Sequence, residues 1–133
     1  MSPVLAATDS VAWLNSAASG IILGDDASDR QYRAILSFNT ASLPDTAVIT
    51  RARLRIRRQG LVGTNPFAAL GALTVDVRKP FFGSAATLAV SDFEAAATRV
   101  SIATFGATPI NGWHSALVNS AGLAVINASG TTQ

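Results

Sequence analysis

Along residues 50–59, TRARLRIRRQ, polar and apolar positions alternate almost without error. In an extended chain Ala52, Leu54 and Ile56 fall on one side, and Arg51, Arg53, Arg55 and Arg57 on the other. This period of two predicts a half-buried strand within AVITRARLRIRRQ, 47–59. Shorter runs of the same kind recur. RQYRAILSFN, 30–39, puts Tyr32, Ala34, Leu36 and Phe38 on one face. ALTVDVRKP, 72–80, turns Val75 and Val77 inward and Thr74, Asp76 and Arg78 outward. SVAWLN (10–15), SGIILG (19–24), RVSIATF (99–105), GWHSALVN (112–119) and GLAVIN (122–127) complete the set of expected strands. The segment 119–127 also suits an initial helical turn.

Turn signals separate these runs at short intervals: GDDASD, LPDT, RQGLVGTNP, FFGS, NGW and NASG among them. Many short strands at that spacing predict an all-β sandwich or barrel. One helix is expected, in SDFEAAATR, with Ser91 as N-cap and Glu94 completing a capping box. Asp92 beside it suits the helix N-terminus.

Composition narrows the classes. The chain has 133 residues, enough for one domain with its own core. It has no cysteine, so disulfides and thiolate metal sites are excluded. Net charge is +2, yet five of the nine arginines lie between residues 51 and 58, so the positive charge is local. No apolar run reaches the roughly 18 residues of a membrane helix, and no secretory signal is visible at the N-terminus.

Three segments together resemble the DNRLRE family of extracellular β-sandwich domains. RAILSFNTASLPDTAVITRARLRIRR matches that family's order of a strand ending in Phe, a loop with Leu-Pro, and a strand of alternating apolar and basic residues. GWHSALVN is similar to its later Gly-Trp strand, and GLAVINASGTTQ to its closing segment. The resemblance implies a single antiparallel jelly-roll-like sandwich over residues 1–133, a non-catalytic module cut from a larger secreted or cell-surface protein. Some relatives are carbohydrate-binding modules for alginate, an anionic polysaccharide, and others have no known ligand, so an acidic polysaccharide is the ligand class the resemblance implies where one is bound. Family members continue after an ending like GTTQ into one more alternating strand, and this sequence stops at Gln133. The expectation is therefore that a strand from another chain or peptide completes the sheet. This defines the competing class, a structural or assembly module such as a stalk, filament subunit or split domain.

The Arg row admits two readings. Neighbouring guanidinium groups at i and i+2 stand about 6.6–6.8 Å apart. They repel by only about 0.6 kcal/mol in water, so the row is tolerable without a ligand. In one reading it is a solvated face balanced by cross-strand acids, with Asp76 the best candidate. In the other, Arg51, Arg53, Arg55 and Arg57 form a platform for carboxylates or sulfates, which guanidinium groups grip in bidentate fashion. Nucleic acid is not expected, because the positive charge is confined and stacking aromatics are few.

In GDDASDR, Asp25, Asp26 and Asp29 are candidate oxygen ligands for a structural Ca²⁺; the same residues also support turns. Trp13, Tyr32, Phe81, Phe82 and Trp113 are the candidate sugar-stacking aromatics. Trp13 and Trp113 are expected in the core at strand ends, with Trp113 the one assigned to the ligand face if that face binds. His114, alternating with Trp113, is expected to face solvent. It is the only histidine, no nucleophile elbow is present, and no pair of carboxylates marks a glycosidase. The sequence predicts no enzyme.

Overall fold

The computed structural model describes residues 2–5 and 20–133. The expected strand 10–15, with Trp13, lies outside the described residues. The chain is all-β; among the described residues every strand pair is antiparallel and the helices are short. Strand β1 (Ser2–Leu5) pairs with β4 (Ala34–Asn39), which also pairs with β9 (Thr131–Thr132). β2 (Gly24–Asp25) and β3 (Gln31–Tyr32) form a small hairpin. β5 (Arg53–Arg57) pairs with β8 (Trp113–Leu117), and β6 (Thr74–Val77) pairs with β7 (Arg99–Thr104).

The last two ribbons share the core. Val77, Ile102, Ala103, Phe105, Ala116 and Val125 are buried in one cluster, with Leu54, Ile56, Phe67, Leu73, Val75 and Val118 packed against it. The alternation read in the sequence carries through: Leu54 and Ile56 turn inward while Arg53, Arg55 and Arg57 are exposed. Val75 and Val77 likewise point in, and Thr74 and Asp76 out.

Several elements differ from expectation. SGIILG contributes only Gly24 to a strand, because the hairpin loop closes just after it. GLAVIN is not a strand. Asn119 caps α2 (Ser120–Leu123), its Oδ1 accepting from Gly122 N at 2.9 Å, so the helical turn prevails. In SDFEAAATR the helix is a 3₁₀ turn, Val90–Glu94. Its capping carboxylate is Asp92, which accepts from Ala89 N at 2.7 Å; Glu94 is exposed at the far end. A further turn, α1 (Pro66–Ala69), starts at the last residue of RQGLVGTNP. Asn65 caps it, and Pro66 at its first position suits a site where an N–H would go unbonded.

Candidate functional site

One end of the β5–β8 ribbon begins at a tight turn. Asn111 and Gly112 both adopt positive φ, 50° and 81°, between Ile110 and Trp113, which exchange two backbone hydrogen bonds. This is the two-residue hairpin that Asn-Gly favours. β8 starts at the end of this turn and lies alongside β5 in the register Arg57↔Trp113, Ile56↔His114, Arg55↔Ser115, Leu54↔Ala116 and Arg53↔Leu117. Directly opposed residues share a sheet face. Trp113, Ser115 and Leu117 therefore join the arginines outside, and His114 and Ala116 join Leu54 and Ile56 inside.

This reverses the expected orientation of β8. His114 is buried at 5% exposure, whereas Trp113 is half-buried on the outer face. The reason is local. Ala116 is small enough to be completely enclosed, and His114 finds a partner inside. Its Nδ1 lies 2.7 Å from the Gly106 carbonyl oxygen, so Nδ1–H donates there. Its ring stacks on Phe67 with centroids 5.0 Å apart.

On the outer face the Arg55 guanidinium lies over the Trp113 ring, 4.6 Å from its centroid. Arg53 and Arg57 flank it along β5, and all three are exposed. Arg51 precedes the strand and is exposed too. Asp76 is not their acidic partner. It lies on the other ribbon, and its Oδ1 accepts from Ser101 N at 2.8 Å, at a bulge where Ser101 has φ 50°. Among the described residues the ion pair is Arg30–Asp26, remote in sequence from β5 and β8.

That pair also explains the acidic loop. Asp26 Oδ2 accepts from Arg30 Nε and Nη2 at 2.7 and 2.6 Å, and its Oδ1 from Ser28 N and Arg30 N. The guanidinium beside it holds the Asp26 carboxyl below its ordinary value of 3.8, with the backbone donors acting in the same direction. Asp29 takes a left-handed conformation, φ 56°, and Asp25 is exposed on β2. Among the described residues no group of three or more carboxylate or imidazole side chains is placed to hold a metal ion. Phe81 and Phe82 are half-buried, and Phe82 N donates to Gln133 Oε1 at 2.9 Å. Tyr32 lines an internal groove.

The structure thus brings together Arg53, Arg55, Arg57 and Trp113 from the sequence-predicted set. It adds Ser115 and Leu117, which the alternation of GWHSALVN marks once Trp113 is placed outside. No protein-family model, curated protein or solved structure matches the chain. Among the described residues no helix is long and apolar enough to cross a membrane.

Proposed function

We propose that the chain is a non-catalytic module of an extracellular or cell-surface protein, of the DNRLRE type, that binds an acidic polysaccharide on the outward face of β5 and β8. One observation carries this reading. Arg53, Arg55 and Arg57 stand exposed on one face beside Trp113, with no ion-pairing carboxylate among the described residues. A row of guanidinium forks suits a polymer that presents carboxylates at intervals, because each fork grips a carboxylate through two parallel hydrogen bonds. Trp113 holds the Arg55 guanidinium over its ring by cation–π stacking, which fixes that fork on the outer face. Ser115, opposite Arg55, supplies a hydroxyl for the sugar's polar edge.

The test is titration with a polyuronate, alongside a neutral polysaccharide of similar length. Polyuronate affinity is expected to fall as salt rises from 50 to 300 mM, because exposed charges are screened. Arg53→Ala/Arg55→Ala should lose at least about tenfold, equivalent to about 1.4 kcal/mol. The neutral polymer should bind weakly and show no salt dependence. Equal affinity of the wild type and double variant for the polyuronate would remove this reading.

A further inference from the structure

Two connections leave the same end of the β5–β8 ribbon. β5 finishes at Arg57, opposite Trp113, where β8 begins. β7 finishes at that end too, because Gly106 N donates to Ser115 O, and β6 starts there, because Phe105 N donates to Leu73 O. The connections 58–73 and 105–112 therefore share one end of the two ribbons.

They are tied together at their bases. Arg58 N donates to Gly112 O at 2.8 Å. Asn65 caps α1, and Phe67 in that turn stacks on His114. Between these anchors, residues 59–64 make no backbone hydrogen bond to another described residue. A β-carbon added at Gly60 or Gly63 would meet no described atom within 4 Å. The stretch stands clear of the rest of the described fold.

Its tip is apolar. Val62 is 98% exposed and Ile110, on the second connection, 76%. Leu61 and Leu70 are exposed at the same end. Single apolar side chains on a surface need no explanation, but four on two joined connections do. The charge here has one sign. Arg57 and Arg58 are exposed at the root of the longer connection, and the segments 53–75 and 99–119 contain no Asp or Glu. An apolar tip above a basic collar matches an anionic lipid surface, where apolar burial and headgroup attraction act together. A second copy fits less well, because a two-fold contact through this end would set the arginine pairs against each other.

We propose that this end of the molecule docks on the surface of an anionic phospholipid bilayer. Leu61 and Val62 on one connection and Ile110 on the other rest at the boundary between headgroups and acyl chains. Arg57 and Arg58 reach the lipid phosphates. Docking is shallow, because the backbone groups of 59–64 have no described partner and must keep their water. It is independent of the polysaccharide reading, which uses the outer face of β5 and β8; only Arg57 lies on both surfaces.

The chain has no cysteine, so Val62→Cys, Ile110→Cys and Val48→Cys each provide a single thiol for an environment-sensitive fluorophore. Val48 is the control: it is 85% exposed and precedes β5, at the opposite end. Each labelled chain is titrated with vesicles of phosphatidylcholine alone, or of phosphatidylcholine and phosphatidylglycerol in equal parts. The expected result is blue-shifted emission at positions 62 and 110 with the anionic vesicles. No shift is expected at position 48, or anywhere with the neutral vesicles. In the chain labelled at position 110, adding Val62→Asp should weaken vesicle affinity at least about tenfold, and so should adding Arg57→Gln/Arg58→Gln. These positions are exposed, so urea midpoints should stay at the wild-type value. The inference is overturned if neither position 62 nor position 110 responds to anionic vesicles, if neutral vesicles act equally, or if position 48 responds as strongly. A blue shift that follows protein concentration without vesicles would assign this end to a second copy, and would also overturn it.

Discussion

Arg55 and Trp113 are diagonal neighbours across the β5–β8 pair: Trp113 stands opposite Arg57, yet it is the Arg55 guanidinium that covers its ring, at 4.6 Å. A cation on an indole face at an exposed site contributes about 0.5–1 kcal/mol. A double-mutant cycle with Arg55→Gln and Trp113→Leu should return a coupling of that size by urea unfolding. The same cycle with Arg53 in place of Arg55 should return none. Equal couplings would mean that a general field, and not stacking, relates these residues.

Gly122 sits where two effects of opposite sign meet. It lies in α2, where alanine is favoured over glycine by about 0.8–1.0 kcal/mol. A β-carbon there would stand 2.8 Å from Ile102 Cβ and 2.5 Å from Val118 Cγ1. Ile102 Cβ is attached directly to a strand backbone and cannot swing away. Overpacking therefore outweighs propensity, and Gly122→Ala should destabilise by about 1–3 kcal/mol. A rise in the thermal midpoint would show instead that α2 shifts freely on β7.

The acidic loop should reveal itself through pH. The Asp26 carboxyl is depressed by the Arg30 guanidinium and by backbone donors. A depressed carboxyl stabilises the fold above its unfolded value and loses that contribution as pH falls through the lower folded-state value. Asp26→Asn keeps an acceptor for Ser28 N and Arg30 N but removes the ion pair. The wild type should exceed this variant in urea midpoint near neutral pH, by a small margin because the pair is partly exposed. The margin should close in the acid range below 3.8. A margin that stays constant into strong acid would show that the charge of Asp26 plays no part.

Why β5 could be read from sequence and β8 could not follows from the same sheet. In β5 the inner set, Leu54 and Ile56, and the outer set, three arginines, differ so much in transfer cost that only one orientation is stable. In β8 each set mixes types: Trp113, Ser115 and Leu117 against His114 and Ala116. Periodicity alone then favours burying the larger apolar set. The register with β5 decides otherwise, and register is a non-local property. GDDASDR reads as a ligand set when its acids are counted, but Arg30 four residues after Asp26 is the local signal that one of them is engaged. The backbone pairing of Gln133 with Arg78 joins residues distant in sequence, and no local pattern encodes it.

The two faces of the β5–β8 ribbon should separate cleanly under mutation. His114→Ala removes the ring stacked on Phe67 and leaves the Gly106 carbonyl without its donor. An unsatisfied acceptor of this kind costs about 1–3 kcal/mol, and the void adds to it. His114→Phe restores the stack but not the donor, so its loss in stability should be smaller than that of the alanine variant. Arg53→Ala and Arg57→Ala, at exposed positions, should each stay within about 0.5 kcal/mol of wild type. Urea unfolding of the four variants checks the order. If the histidine variants prove as mild as the arginine ones, His114 does not lie inside, and the register that puts Trp113 on the outer face would fall with it.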